Sequence, residues 1–121
     1  MEMKSTVERS IVGFAIGDAL GVPYEFKKRG SFHCDDMRGS RLWDPHGLLP
    51  CGTWSDDTSL LLCVLDALQK SNKGAIYKRW RKNAIQWCLL GKFTNHGYRV
   101  PYDIGVSCRI GITCMMFHIK K

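Results

Sequence analysis

The sequence contains no apolar run long enough to cross a lipid bilayer. Its longest run, Leu60 to Leu65, is far shorter than the roughly 20 residues that a transmembrane helix needs, and Asp66 follows it. The amino-terminal segment is interrupted by Glu8 and Arg9 and lacks the clean apolar stretch and cleavage site of a signal peptide. We therefore expect a cytoplasmic protein.

The six cysteines include no pair in the C-x-x-C spacing that is typical of structural zinc sites. Cys63, Cys88 and Cys114 fall within helical apolar patterns, where a free cysteine packs as a small hydrophobic residue. We expect reduced thiols rather than the disulfide framework of a secreted protein.

Acidic residues are scarce in the second half of the chain. Residues 1–66 contain seven Lys/Arg and ten Asp/Glu, a net charge of −3, whereas residues 67–121 contain eleven Lys/Arg and only Asp103, a net charge of +10. Such asymmetry is typical either of a nucleic-acid-binding end or of one part of a larger, charge-balanced protein. No recognised nucleic-acid module is present, so nucleic acid at the Lys73–Lys82 face is the disfavoured interpretation.

No segment alternates apolar and polar residues for long enough to predict a strand, and no internal repeat is present. The spacing of apolar residues instead predicts four helices, from about Thr6 to Leu20, from Asp56 to about Ser71, from about Ala75 to Leu90 and from about Asp103 to His118. Residues 21–55 are rich in glycine and proline, which predicts a long, ordered loop between the first two helices. The predicted class is all-α.

Local signals indicate how these helices begin and which faces they bury. Ser5 followed by Glu8 fits a capping box at the start of the first helix. The second helix is apolar around nearly its whole circumference, which predicts a central position. The third helix is expected to place four basic residues mostly on its solvent side: Lys78, Arg79, Arg81 and Lys82. The fourth has an apolar stripe formed by Val106, Ile110, Thr113 and Phe117.

Two adjacent acids, Asp56 and Asp57, stand between hydroxyl residues at the start of the strongly apolar second helix. One interpretation is helix capping, because a carboxylate near the positive helix end stabilises a helix by about 0.3–1 kcal/mol. The other is a hard-cation site, since carboxylate and hydroxyl oxygens suit Mg²⁺ or Ca²⁺ better than zinc. Both interpretations stay open at this point, and a magnesium site needs more ligands than this segment supplies.

A second group of candidates lies at the end of the first helix. Asp18 stands between Gly17 and Gly21, and Glu25 follows a proline-fixed turn. An acid at the carboxyl end of a helix is unfavourable, so a compensating partner is expected. The recurrence of Gly13, Gly17 and Gly21 indicates that a backbone or ligand approaches this face closely. A turn role for Asp18 and a solvated Glu25 are the simpler alternatives.

Asp103 is the third candidate, in the segment Pro101 to Gly105 just before the last helix. Its simple interpretation is an ordinary N-cap. The histidines show no metal-ligand spacing, and they are His33, His46, His96 and His118. Asp35 and Asp36 are most simply a solvated loop pair.

Together these groups resemble the ADP-ribosylglycohydrolase family. The matching segments occur in family order: Gly13 to Glu25 (G-x-x-x-G-D-A-L-G-x-P-x-E), Gly52 to Leu60 (G-T-W-S-D-D-T-S-L), and Asp103 to Gly105 after Gly91 to Thr94. The resemblance covers nearly the whole chain to about Gly105. It implies an all-α fold around a two-magnesium centre, and hydrolysis of the bond between ADP-ribose and a modified side chain, often arginine, or a related ADP-ribose derivative.

The resemblance also implies roles for individual residues. The metal-ligand group corresponds to Ser55, Asp56 and Asp57, and the family commonly has threonine in place of Ser55. Glu25 matches an active-site acid that orients or activates water, and Asp103 matches a loop aspartate near the ribose, so both are catalytic candidates. The expected substrate-binding residues are Asp18, Gly21, Asp103 and Gly105.

One departure from the family concerns its second metal-ligand group, an Asp-x-Asp-Thr segment near the carboxyl end. This sequence has no acid after Asp103. We therefore expect residues 1–121 to form a partial domain, the amino-terminal half of the family fold, with little turnover unless a second polypeptide supplies the other half. The alternative is a non-catalytic helical module that binds ADP-ribose, a metal or another protein.

Overall fold

The computed structural model of the chain describes residues 5–35, 37, 49–95, 101 and 103–117. The chain forms two compact units, residues 1–54 and residues 55–121. Throughout the described residues the regular elements are α-helices and short 3-10 helices, and no strand occurs among them, which confirms the all-α class. None of the described helices is long and apolar enough to cross a membrane.

The first unit begins with α1, which spans Thr6–Gly21 and agrees with the predicted helix to within one residue. The Ser5 hydroxyl accepts a hydrogen bond from the Glu8 backbone N–H at 3.2 Å, which confirms Ser5 as the N-cap. A 3-10 helix, Val22–Tyr24, continues directly from α1 and is buried. Its proline lies in the first turn, where a missing N–H costs nothing.

Among the described residues, no backbone or side chain approaches the glycine face of α1 closely, so a ligand at this face stays a prediction. A Cβ added at Gly13, Gly17 or Gly21 would meet no described atom within 4 Å. Three apolar residues of the same helix are also 43–48% exposed: Val12, Phe14 and Ile16. The periodicity therefore predicted the helix itself correctly, whereas these three apolar residues are not buried among the described residues.

A tight turn at Pro50 to Thr53 leads the chain towards the acidic pair. The Thr53 N–H donates to the Pro50 carbonyl at 3.1 Å, and Gly52, at the third turn position, has a φ of 80°. This is the conformation of a type II turn, which favours glycine at that position. The Thr53 side chain donates to the same carbonyl at 2.7 Å and is only 1% exposed, so the turn is firmly held.

The second unit contains α2 (Asp56–Lys70), a 3-10 helix (Lys73–Ala75), α3 (Ile76–Leu90) and α4 (Val106–Phe117). Its hydrophobic core combines buried residues from all three α-helices: Cys63, Ala84, Trp87 and Ile112. Because α3 packs against both α2 and α4, the central helix of this unit is α3. The prediction of a central α2 is wrong for this unit, and Leu68 of α2 is 54% exposed.

The fourth helix starts three residues later than predicted and buries a different face. Its first residue is Val106, and Asp103 lies outside the helix. Ile112 is buried, whereas the stripe read from the sequence is exposed, to 75%, 60% and 80% at Val106, Ile110 and Phe117. Because α4 has apolar residues on two sides, periodicity cannot select the face that packs. The predicted end at His118 lies outside the described residues.

A polar cluster joins α2 to α3. Asn83 is 1% exposed, and its side-chain amide donates to the Cys63 carbonyl at 3.1 Å and to Asp66 Oδ2 at 2.9 Å. Arg79 Nε donates to the same carboxylate oxygen at 2.8 Å, and Lys70 pairs with Oδ1 at 2.6 Å. Hydrogen bonds from Arg79, Lys70 and Asn83 hold the pKa of Asp66 well below its usual range.

The sequence predicts that the four basic residues on α3 lie mostly on the solvent side, but two of them also make contacts within the protein. Arg79 binds Asp66, and the Arg81 guanidinium donates to the Met115 carbonyl of α4. Lys78 and Lys82 are exposed, in agreement with the prediction. Two of the four cationic side chains on α3 are therefore engaged in contacts within the protein.

All six cysteines are free thiols, which confirms the prediction of reduced cysteines. Cys63 is fully buried, and this burial raises the pKa of its thiol to about 12. The charge of Lys92 lowers this pKa and the charge of Asp66 raises it, each by less than the burial does. Cys88 is half-buried, as expected for a residue packed in a helix. Cys114 is exposed, so its interpretation as a packed hydrophobic residue is wrong.

Candidate functional site

Ser55, Asp56 and Asp57 form the start of α2. Ser55 is the N-cap residue and has an extended backbone, but its side chain makes no capping hydrogen bond. Asp56 and Asp57 occupy the first helical turn, where the positive end of the helix dipole stabilises negative charge. Adjacent helical residues are about 100° apart around the axis, so the two carboxylates point in different directions.

The Asp56 carboxylate connects two segments that are distant in sequence. Its Oδ2 accepts a hydrogen bond from the Gly105 backbone N–H at 2.9 Å. Gly105 immediately precedes α4, and its carbonyl accepts the Arg109 N–H at 2.9 Å, as the first bond of that helix. Asp56 thus lies at the amino-terminal ends of both α2 and α4, where N–H groups create positive potential.

Cys108 is a neighbour of this carboxylate that the sequence reasoning missed. A Cβ added at Gly105 would lie 3.4 Å from Asp56 Oδ2 and 3.9 Å from Cys108 Sγ. Burial, followed by the negative charges of Asp56 and Asp57, raises the pKa of the Cys108 thiol. The sequence has no local signal for this neighbour, because it depends on the contact between Gly105 and Asp56, which are 49 positions apart.

Ser59 is a second residue that was missed. It is 2% exposed, and its hydroxyl lies 3.0 Å from the Ser55 carbonyl oxygen and 3.3 Å from that of Phe93. Phe93 follows the left-handed C-cap Gly91 and itself has a φ of 68°. The sequence has no local signal for the contact between Ser59 and Phe93, because the two residues are 34 positions apart.

The remaining candidates occupy loop or helix-end positions. Asp103 is half-buried and lies before Gly105, so its interpretation as the N-cap of α4 is wrong. In the first unit, Asp18 is half-buried in the last turn of α1, and its carbonyl accepts the Val22 N–H. Glu25 is exposed, and its N–H donates to the Gly21 carbonyl at 3.1 Å. Asp18, Gly21 and Glu25 therefore share the segment that ends α1.

The donor set at the start of α2 has the right chemistry for magnesium but too few donors. Ser55, Asp56 and Asp57 supply hydroxyl and carboxylate oxygens, which are the ligands that Mg²⁺ prefers. Within the part of the chain that the structure describes, no three His, Cys, Asp or Glu side chains are grouped closely enough to hold a metal ion. A complete site needs further oxygens.

The sequence resemblance implied an all-α fold, and the described residues have that fold. A family model described as ADP-ribosylglycohydrolase matches residues 2–118. The chain belongs to the ADP-ribosylglycohydrolase family, which confirms that expectation.

Two curated relatives extend the comparison. Over 109 residues the chain is 33% identical to ADP-ribosylarginine hydrolase Tri1 of Serratia proteamaculans (strain 568), covering 90% of this chain and 28% of that protein. Over 100 residues it is 33% identical to ADP-ribosylarginine hydrolase Tri1 of Pseudomonas putida (strain GB-1), covering 83% and 25% respectively. The chain thus spans about a quarter of the length of these relatives. No solved structure matches the chain.

Proposed function

We propose that this chain provides the first carboxylate group of a magnesium-dependent hydrolase that releases ADP-ribose from modified arginine side chains or from related ADP-ribose derivatives. The observation that carries the proposal is the hydrogen bond from Gly105 to Asp56, because it joins two of the segments that resemble the family. The names of both curated relatives, ADP-ribosylarginine hydrolase, support arginine as the modified side chain.

The chemistry of the reaction suits these residues. Cleavage of a glycosidic bond develops oxocarbenium-like positive charge on the ribose, and carboxylates stabilise such charge. When bound, the two magnesium ions would orient ribose hydroxyls and lower the pKa of a water molecule. Ser55, Asp56 and Asp57 would hold them, and the bond to Gly105 keeps Asp56 from rotating away from that position.

The other roles in the proposal follow the resemblance, residue by residue. Glu25 is the proposed acid that orients or activates the attacking water, and Asp103 is the proposed aspartate beside the ribose. The proposed substrate contacts are Asp18, Gly21, Asp103 and Gly105. Substitution of Glu25 by Gln tests its role once the missing oxygen ligands are supplied: the turnover of that completed site should fall strongly, whereas cation binding at α2 should not change.

We also propose that residues 1–121 act as a partial domain and need oxygen ligands from outside these residues for turnover. The incomplete donor set supports this, as does the chain's match to about a quarter of its relatives' length. The exposed apolar residues Val106, Ile110 and Phe117 on α4 support it too, because contiguous apolar surface is typical of sites that another polypeptide covers.

The incomplete donor set equally favours a second candidate function. In this alternative the chain is a non-catalytic helical module that retains the family scaffold and binds ADP-ribose, a cation or another protein. The two candidates differ in one respect: only the hydrolase should release ADP-ribose when the missing oxygens are supplied.

Calorimetry with Mg²⁺ and ADP-ribose, combined with an assay of ADP-ribose release from ADP-ribosylated arginine, tests these proposals. We expect the chain to bind Mg²⁺, and we expect this binding to be lost in Asp56→Asn and Asp57→Asn. The chain alone should show little turnover. Asp35→Asn is the matched control, because it removes a carboxylate from an exposed loop residue. No binding by the unmodified chain would refute the proposed cation site, and robust turnover by the 121 residues alone would refute the partial-domain proposal.

A further inference from the structure

The connection between α3 and α4 is attached to the first turns of α2 at both of its ends. At its beginning, the Phe93 carbonyl lies 3.3 Å from the Ser59 hydroxyl. At its end, the Gly105 N–H donates to the Asp56 carboxylate at 2.9 Å. We propose that Ser59 is a positioning residue, which holds this connection so that Gly105 can fix the Asp56 carboxylate. The inference rests on the proposed function only in so far as Asp56 holds a cation.

The Ser59 hydroxyl has one proton and two carbonyl neighbours. The Ser55 carbonyl, 3.0 Å away, belongs to the N-cap residue, and such a carbonyl already accepts the first hydrogen bond within its helix. A hydrogen bond from the Ser59 hydroxyl to the Phe93 carbonyl therefore adds a link that α2 does not otherwise make through this residue, because Phe93 lies outside α2. Ser59 is 2% exposed, so water is poorly placed to replace this donor.

The backbone at Phe93 needs external support. A φ of 68° is uncommon for a residue with a side chain, and such conformations persist where the surroundings enforce them. One support comes from α3, because Lys92 Nζ donates to Asn83 Oδ1 at 2.7 Å and to Gln86 Oε1 at 3.0 Å. Ser59 supplies the support from α2, which is the helix that has the acidic pair.

Hydrophobic packing fixes the same two ends of the connection. The side chains of Phe93 and Ile104 both pack against the buried cluster that contains Trp87. Ile104 is adjacent to Gly105, so a displacement that begins at Phe93 is transmitted through a shared packed core to the residue that binds Asp56. Loss of the Ser59 hydroxyl should therefore weaken the hydrogen bond from the Gly105 N–H to Asp56, although Ser59 is not part of that bond.

Hydrogen exchange in the cation-free protein measures this coupling. We expect Ser59→Ala to accelerate exchange of the Gly105 amide, which bonds to Asp56, and of the Thr94 amide, which bonds to Gly91, by about tenfold. Ser59→Thr keeps the hydroxyl and should restore slow exchange. The exchange rates of amides in the middle of α3 report on the stability of the whole unit, and they should not change if Ser59 acts only on the connection.

The matched control is Ser10→Ala. Ser10 makes the same local bond in α1, from its hydroxyl to the Thr6 carbonyl at 2.9 Å, but on an exposed surface. Exchange at Gly105 should be unaffected by this change. Ser59→Cys, which keeps the side-chain size but is a weak donor, should give an intermediate acceleration and serves where the alanine variant folds poorly.

Magnesium affinity, measured by calorimetry well below the unfolding temperature, separates this inference from the proposed function. We expect Ser59→Ala to bind Mg²⁺ about tenfold more weakly than the unmodified chain and Ser59→Thr to bind within about twofold of it. Unchanged Gly105 exchange in Ser59→Ala, or unchanged Mg²⁺ affinity in a chain that binds Mg²⁺, overturns the positioning role. Absence of Mg²⁺ binding in the unmodified chain overturns the proposed function, and Gly105 exchange still decides whether Ser59 positions the connection.

Discussion

The two ends of α2 stabilise their carboxylates in different ways. Near the carboxyl end, the Asp66 side chain is 9% exposed and is bonded to Arg79, Lys70 and Asn83. At the amino end, Asp56 is half-buried, stands next to Asp57 and accepts a hydrogen bond from the neutral Gly105 N–H. One acid is paired with cationic side chains, and the other is held by a backbone dipole.

This difference distinguishes a structural acid from a candidate ligand. Arg79 and Lys70 compensate the charge of Asp66, so that this carboxylate is committed to the contact between α2 and α3. A backbone N–H and a helix dipole orient Asp56 without cancelling its whole charge. The contrast predicts that a cation binds at the amino end of α2 and not at its carboxyl end, and the following predictions test it.

The largest expected effect is on cation binding at the amino end. Replacing Asp56 or Asp57 by Asn should weaken Mg²⁺ binding by more than the roughly 10–100-fold that loss of an indirect partner costs. The change keeps the side-chain shape, so the free energy of unfolding should change little. Calorimetry checks the affinity and urea unfolding checks the stability. A large loss of stability with unchanged Mg²⁺ affinity would mean that the pair only caps α2.

The next largest effect is on stability at the carboxyl end. Asp66→Ala removes the acceptor of Arg79 and of the buried Asn83 amide, so the free energy of unfolding should fall by about 2 kcal/mol. Arg79 and Lys70 are partly exposed, and this keeps the loss modest. Urea unfolding measures it. Magnesium affinity should be the same as in the unmodified chain, and a matching loss of affinity would remove the contrast between the two ends.

Acid should weaken the same contact. The pKa of Asp66 is lower in the folded protein than its usual value of about 3.9, so its stabilisation is complete above that value and is lost progressively as the pH falls below about 4. The difference in unfolding free energy between the unmodified chain and Asp66→Asn should therefore shrink between pH 5 and pH 2.5. A difference that stays constant over this range would show that the Asp66 charge does not contribute.

The smallest effects should distinguish two N-cap serines. Ser5→Ala removes a capping hydrogen bond to Glu8 and should cost about 1 kcal/mol of helix stability. The Ser55 side chain makes no capping bond, so Ser55→Ala should cost less than about 0.5 kcal/mol while weakening Mg²⁺ binding. Thermal unfolding followed by circular dichroism compares them. Equal losses of stability would contradict the assignment of the Ser55 hydroxyl to a cation.

Much of the helical structure could be predicted because its signals are local. Ser5 capping, the acids in the first turn of α2 and the left-handed Gly91 each lie at the helix end that they specify. The bounds of α1, α2 and α3 accordingly agree with the prediction to within about one residue. The start of α4 was misplaced because Asp103 looked like a capping residue, whereas Gly105 occupies the position directly before the helix.

The sequence by itself determined the family, the helical class and the acidic pair at the start of α2, because each depends on residues that are neighbours in the chain. Tertiary structure alone decided that α3 is central, that α4 packs through Ile112, and that Asp66 is a paired structural acid. It also decided that Gly105 and Asp56 meet. The physical reason is that periodicity is a property of one helix, whereas burial and hydrogen bonding between distant segments depend on which surfaces pack together.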